Sequence, residues 1–247
     1  MQLQMFPKRI LDELGILGGV TSARAVRASD GLTYAVKDET AGVPSVRASE
    51  FLWLSVAKAI GLPSATPEIF LEGVDRHIVG TRLEHAAVGK DHSSCLFHLL
   101  SGTVHDGGRF LSRLFAFDLF CGNWDRHPGN YLVIEDAGAL VVLAIDYSHV
   151  EVNTGLLSID PTLVACATRG WFPVVVKPYG PDPAAATETV DRLAQLPTET
   201  IEAILKGMPE DWMSLSEREA VCVWWSSGAR ADRTNEIKKG LVNGVYI

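Results

Sequence analysis

The stretch from Phe110 to Asp146 constrains the fold more than any other part of the chain. It begins with FLSRLFAFDLF, where Phe110, Leu111, Leu114, Phe115, Phe117 and Leu119 cover most of a helix's circumference. A helix of that kind must be buried on nearly all sides, so it belongs at the centre of a core. The polar loop GNWDRHPGN follows at once. YLVI and ALVVLAI then flank Glu135-Asp136-Ala137-Gly138, which is the pattern of a β-hairpin. A hairpin brings the chain back to where it left the loop, so Asp146, at the end of the second strand, lies beside Asp125 and Asn130. Two carboxylates and an amide oxygen thus converge at one edge of a core.

That set has a chemical meaning. Magnesium prefers oxygen ligands and takes only one or two carboxylates, leaving its other positions for water and phosphate. Phosphoryl transfer needs such a metal, with a further carboxylate to orient the attacking hydroxyl. An Asp or Asn taken singly does no more than cap a turn. The combination of Asp-x4-Asn, a hairpin and a second Asp behind so apolar a helix points to phosphotransfer.

Upstream the chain is β-rich and mixed. After an initial helical stretch, LGILGGVTSARAVRASDGLTYAVKDE reads as two strands around the Asp30-Gly31 turn. In the segment Gly18 to Ala23 the backbone amides of Gly18 and Gly19 can approach phosphates, since no side chain intervenes; a plain strand-entry turn reads equally well. Phe51, Leu52, Leu54, Val56, Ala57 and Ile60 recur at helical spacing from Val46 to Ile60, and Gly61 and Pro63 stop that helix. Short strands follow near Glu68 to Leu71 and His77 to Thr81, with a linker near Gly80 to Lys90 where strand signals end. Beyond the hairpin, helices are expected near Ala185 to Gln195, Thr198 to Lys206 and Ser216 to Trp225. Trp212, Trp224 and Trp225 are expected to pack that helical part.

The loop and hairpin resemble the catalytic and metal-binding segments of the protein-kinase-like superfamily. The order Asp-Arg-His, and the run Ile-Asp-Tyr-Ser-His from Ile145 to His149, are similar to the phosphoinositide kinases. Lys37 in YAVKDE, Glu50 opening ASEFLWLSVAKAIGLP, and the passage FAFDLFCGNWDRHPGN are closer to the HipA-like bacterial kinases. The resemblance runs from about Gly18 to Val150 and implies an α+β, two-lobed protein-kinase-like fold. Residues 1–85 would form a small β-rich N-lobe with one helix. Residues 86–247 would form a larger, mainly helical C-lobe.

The resemblance implies roles as well. Lys37 would hold nucleotide phosphates and Glu50 would fix Lys37 through an ion pair. Asn130 and Asp146 would bind the metal. Asp125 would orient or deprotonate the acceptor hydroxyl, with His127 sharing or holding the base role. Glu84 would stand where the lobes join and adenine is held. The glycine-rich loop of ordinary protein kinases is absent. The expected activity is that of an ATP- and Mg2+-dependent serine/threonine protein kinase, with Mn2+ as a substitute metal. An antitoxin or other regulatory partner is implied too. Three other readings stand beside it: a lipid or small-molecule kinase, a nucleotide-binding pseudokinase, and a metal-dependent phosphohydrolase with Asp125, His127, Asp146 and His149 as ligands. The last leaves Lys37, Glu50 and Asn130 without a task. Arg126 is expected to meet a phosphate or a nearby acid, and His149 to be a supporting hydrogen bonder.

Composition narrows the setting. The net charge of -8 argues against nucleic acid as a direct partner, because a phosphate-tracking surface needs a basic excess. No run of about 18 apolar residues suggests a membrane span. The start of the chain shows no secretory signal, and the scattered Cys95, Cys121, Cys166 and Cys222 read as buried thiols of a reducing, cytoplasmic compartment.

Overall fold

A computed structural model describes residues 6–18, 23–39, 45–84, 87–89, 91–150, 152, 166–244 and 246. Strands β1 (Lys8–Gly18), β2 (Ala23–Ala28), β3 (Thr33–Lys37), β4 (Pro67–Glu72) and β5 (Arg76–Arg82) close into a barrel in the order β1-β2-β3-β5-β4. Neighbours are antiparallel except β1 and β4, which run parallel through Lys8 opposite Phe70 and Arg9 opposite Leu71. Val26, Ala28, Tyr34, Val36, Phe70 and Ile78 fill the interior. Strand alternation does the positioning on β3: Tyr34 and Val36 are buried in the barrel, so Lys37 is sent to the opposite face.

The first segment corrects an expectation. KRILDELG spaces its apolar residues as a helix would, yet Lys8–Gly18 is a strand. Register shifts after Ile10, Glu13 and Ile16 break the two-residue alternation that marks a strand in sequence. Pairing on both sides then overrides local preference. Lys8 anchors the strand. Its ammonium meets Asp30 Oδ2 at 2.8 Å, contacts the Glu68 carboxylate and the Tyr34 hydroxyl, and lies 4.5 Å from the Tyr34 ring centroid.

Helix α1 (Val46–Ala59) joins β3 to β4. It ends where Gly61, at φ 69, adopts the left-handed turn that a Cβ would disfavour. Strand β6 (Ala87–Gly89), helices α2 (His92–Leu100) and α3 (Gly107–Cys121), and strands β7 (Tyr131–Asp136) and β8 (Ala139–Ala144) follow, with a small sheet in the order β6-β7-β8. The β7–β8 turn places Ala137 and Gly138 at φ 48 and 82, the positive angles that a two-residue hairpin turn requires. Helices α4 (Ala167–Val176), α5 (Pro183–Gln195), α6 (Thr198–Lys206), α7 (Leu215–Ser226) and α8 (Gly228–Val242) complete the described chain.

All six apolar residues that marked α3 are buried. On α1, Trp53 meets Phe117 and Phe120 edge-on at 6.1 and 6.4 Å, so one apolar core runs from α1 through α3. Trp212, Trp224 and Trp225 are buried in the same core. Cys95 and Cys121 are buried, but Cys166 and Cys222 are partly exposed, and all four are free thiols. Among the described residues no helix is long and apolar enough to cross a membrane.

Burial alone would raise the Asp30 carboxyl, but hydrogen bonds from Lys8 and Tyr34 outweigh it and lower its pKa to about 2. The stability this acid contributes is therefore present above its unfolded value of 3.8 and is lost as pH falls towards about 2. Between about pH 4 and about pH 2 the melting temperature of the wild type should fall further than that of Asp30→Asn. Parallel falls would remove Asp30 from the account of how the barrel is closed.

Candidate active site

The site is assembled from a strand end, a helix start and two loops. Lys37, at the end of β3, places Nζ 2.7 Å from Asp146 Oδ1 and 3.4 Å from Glu50 Oε1. Glu50 lies in the first turns of α1, and its Oε2 accepts the Tyr147 N–H at 2.7 Å. Asp146 follows β8 with φ 63, a left-handed conformation that few residues other than glycine adopt. Its carboxylate is held there by Lys37, by the Ser148 N–H at 3.2 Å and by the Ser148 hydroxyl. Strained backbone of this kind persists only where its surroundings over-determine it, and it clusters at functional sites.

The electrostatics follow from one cation set between two acids in a buried place. Burial pushes Lys37 down, but Asp146 and Glu50 outweigh it and hold the ammonium charged. Burial would raise Asp146 too, but Lys37 and Ser148 carry it well below the carboxylate range, so it stays ionised. Burial and the neighbouring Asp146 charge push Glu50 up against the pull of Lys37 and the Tyr147 amide.

The loop after α3 supplies the other groups. Gly122, at φ 74, ends α3 and turns the chain out. Asp125 is held by its backbone: its N–H donates to Asn123 Oδ1 at 3.2 Å and its carbonyl accepts Asn130 Nδ2 at 2.7 Å. Its carboxylate is left at the surface, 3.9 Å from His149 Nε2. With the Asn130 nitrogen committed, Oδ1 is the end of that amide available to a cation. His127 Nδ1 accepts the Gly129 N–H at 3.0 Å, and its ring stacks on His92 at 5.7 Å. A Cβ at Gly129 would lie 2.9 Å from the His127 ring, so the close approach requires glycine. Burial and His92 lower the His127 pKa more than Asp125 and Asp146 raise it, so the ring is neutral near pH 7. A neutral imidazole that accepts at Nδ1 carries its hydrogen on Nε2.

Beneath these groups lies an ion pair that joins α3 to the loop. Arg126 Nε and Nη2 donate to Asp118 at 2.9 and 3.0 Å, and both side chains are almost wholly buried. Nη1 donates to the carbonyls of Asn130, at 2.8 Å, and Ile145. The guanidinium also lies 4.6 Å from the Tyr147 ring centroid. Asn123 Nδ2 donates to Asp118 Oδ1 at 2.9 Å, and Thr168 on α4 bonds Asn123 O and the Arg126 N–H. Arg126 thus meets an acid and not a ligand. Asp118 was missed in the sequence, where its signal was a lone carboxylate inside FAFDLF.

The remaining positions are less gathered. Gly18 ends β1 opposite Ala23, and Gly19 lies outside the described residues. Glu84 follows β5 and accepts the Ala87 N–H through its backbone carbonyl at 3.1 Å. No contact among the described residues brings its side chain to Lys37 or Asp146. Asp125, His127, Asp146 and His149 form no metal-holding cluster, since no group of three or more His, Cys, Asp or Glu among the described residues does so. The Ile145 N–H donates to the Asn130 carbonyl at 3.2 Å, which brings the loop to the residue before Asp146, and an ionised Asp with an Asn oxygen is a donor set that suits a hard cation keeping phosphate and water as its other ligands.

No protein-family model matches the sequence, and no curated protein does. Solved structures do. The proinflammatory kinase CtkA of Helicobacter pylori aligns with a TM-score of 0.62 at 13% identity, over 96% of each chain. HipA of Shewanella oneidensis MR-1, solved in a toxin–antitoxin complex with HipB and operator DNA, aligns with a TM-score of 0.54 at 14% identity, over 93% of this chain and 68% of its own. The architecture is therefore α+β and two-lobed, of the protein-kinase-like class. Within that class the fold is HipA-like, as the residues around Lys37, Glu50 and the Asp125 loop led one to expect.

Arg126→Met would leave Asp118 charged and unpaired in the core, and should cost about 3–5 kcal/mol of unfolding free energy in a denaturant titration. A loss under about 1 kcal/mol would show that the loop does not depend on the pair.

Proposed function

We propose that the chain is an ATP- and magnesium-dependent phosphotransferase, and specifically a HipA-like serine/threonine protein kinase. The observation that carries this reading is Lys37 held between Glu50 and Asp146, with Asp125 and Asn130 presented from the adjoining loop. Among protein kinases the ion pair between the strand lysine and the helix glutamate, and the metal-binding Asp, must both be in place. One of the two aligned proteins is a kinase and the other belongs to a toxin–antitoxin system, which supports the same reading.

In this reading Lys37 binds phosphate oxygens, and Glu50 keeps it extended into the cleft. Asn130 Oδ1 and the Asp146 carboxylate hold Mg2+, or Mn2+ in its place. When bound, that ion neutralises charge on the phosphates. Gly18, Gly19 and the segment at Glu84 are outlying nucleotide contacts. Asp125 takes the acceptor hydroxyl's proton, or orients it, because its carboxylate is exposed and its backbone fixed. His127 is the weaker base, since its accepting nitrogen is already occupied by Gly129. Its Nε2–H is placed to donate. The acceptor is a protein hydroxyl, the setting is cytoplasmic, and an antitoxin-like regulator is the expected partner.

Purified protein given magnesium and γ-labelled ATP should transfer label to itself or to a lysate protein, and Asp146→Asn should transfer none. Label found only on lipid or small-molecule hydroxyls would move the acceptor class. Nucleotide binding without transfer to any acceptor would make the chain a pseudokinase.

A further inference from the structure

Helix α1 carries Glu50, so whatever fixes α1 fixes the Lys37 pair. The helix begins without a cap of its own kind: Ser45 sits at φ 60 and makes no side-chain cap bond. Glu39, from the segment after β3, takes its place and accepts the N–H groups of Val46 and Arg47 at 3.1 and 3.3 Å. A carboxylate there also suits the positive end of the helix dipole. Arg47 extends the arrangement to two more parts of the fold. Its Nε donates to Glu39 Oε1 at 3.0 Å, while Nη1 donates to the His77 carbonyl on β5 at 2.7 Å and to Asp211 Oδ2 at 2.9 Å. Asp211 belongs to the short turn Glu210–Trp212 between α6 and α7.

The neighbouring Trp212 reinforces the contact. Its Nε1 donates to the same His77 carbonyl at 3.1 Å, its ring meets Phe51 edge-on at 5.9 Å, and the Arg47 guanidinium lies 5.8 Å from its centroid. Arg47, Glu50 and Phe51 are spaced three and four residues apart and so occupy adjoining positions on one helix. A rotation of α1 that swings Glu50 away from Lys37 must therefore break the bonds of Arg47 or pull Phe51 off Trp212.

We propose that Arg47 and Asp211 form a remote clamp that positions Glu50 for its pair with Lys37, so that the Glu210–Trp212 turn controls phosphotransfer from behind α1. The clamp rests on the phosphotransfer reading given above. Arg47 is a positioning residue: it meets neither the cluster at Lys37 nor the Asp125 loop. The clamp is also reachable. The Asp211 side chain is 50% exposed, at the rim of a cavity of about 690 Å³ that Pro7, Ile69, Asp75, His77 and Met208 help to line. Loosening the ion pair there leaves the apolar core under α1 closed.

The test is Asp211→Asn in the full chain, with Arg47→Lys beside it as a variant that keeps the charge but loses the fork. Three quantities are read: label transfer from γ-labelled ATP, hydrogen exchange at the Tyr147 amide, and melting temperature. That amide donates to Glu50 Oε2, so its protection reports where Glu50 is without any nucleotide present. Transfer by Asp211→Asn should fall about tenfold. Tyr147 should exchange faster while the β7–β8 amides keep their protection, and the melting temperature should drop by no more than about 2–4 °C, as befits a half-exposed pair. Unchanged transfer, or a fall in transfer with Tyr147 exchange unaltered, overturns the clamp and leaves the kinase reading standing. Should the wild type transfer nothing while Asp146→Asn behaves identically, the phosphotransfer reading fails and the clamp fails with it.

Discussion

The buried pair of Asp118 and Arg126 is the interaction on which the rest of the site depends. Two charges in a dry core are costly unless each finds a full set of partners. Here each does: Asp118 takes two bonds from Arg126 and one from Asn123, and the last guanidinium nitrogen reaches the Asn130 and Ile145 carbonyls. Those two carbonyls belong to the residue proposed to ligate a cation and to the residue preceding Asp146. A single side chain therefore sets the spacing between the loop and the strand end, and the helix supplying its partner is buried along most of its length. Packing alone would hold α3 in place, but it would not fix where two polar loops stand relative to each other.

Opposite this pair, α1 does the corresponding work through Ser49 and Glu50, both buried, and through the partly exposed Arg47. Ser49 donates to the Val150 carbonyl and Glu50 accepts the Tyr147 N–H, so the helix is tied to the segment after β8, while the Glu50–Lys37 pair ties it to the barrel. Lys37, Glu50 and Asp146 carry one positive and two negative charges when all are ionised. Lys37 offsets part of that imbalance by lying 2.7 Å from Asp146 and 3.4 Å from Glu50.

How much of this the sequence revealed depends on the kind of signal each element carries. α3, the hairpin and α1 were legible because each satisfies a strong local pattern: an apolar circumference, two short apolar runs about a turn, or helical spacing closed by Gly61. The convergence of Asp125, Asn130 and Asp146 was legible because a hairpin fixes geometry over a short distance. β1 was not, since its bulges destroy alternation and its pairing with β4 links residues far apart in the chain. β6 is three residues long, α2 and α4 are short apolar runs of nine and ten residues, the latter with Pro173 inside it, and α8 is poor in apolar residues, so none stood out. Asp118 escaped as a participant because its meaning lies in a partner eight residues away across a helix end. Arg47 and Asp211 meet across 164 residues, a separation no local pattern encodes.

The closure of the barrel has a consequence for how this end of the molecule can meet others. Strands β2, β3 and β5 have a neighbour on both sides, but β1 meets β4 only through Lys8 and Arg9, so from Ile10 to Gly18 its outer row of amides and carbonyls has no strand partner among the described residues. The exposed side chains of Leu11, Leu14, Ile16 and Leu17 lie along the same stretch of β1. Main-chain pairing tolerates almost any sequence; a side-chain surface does not. Closure thus spares β2, β3 and β5 the edge-to-edge association to which open sheets are prone and leaves β1 open to it.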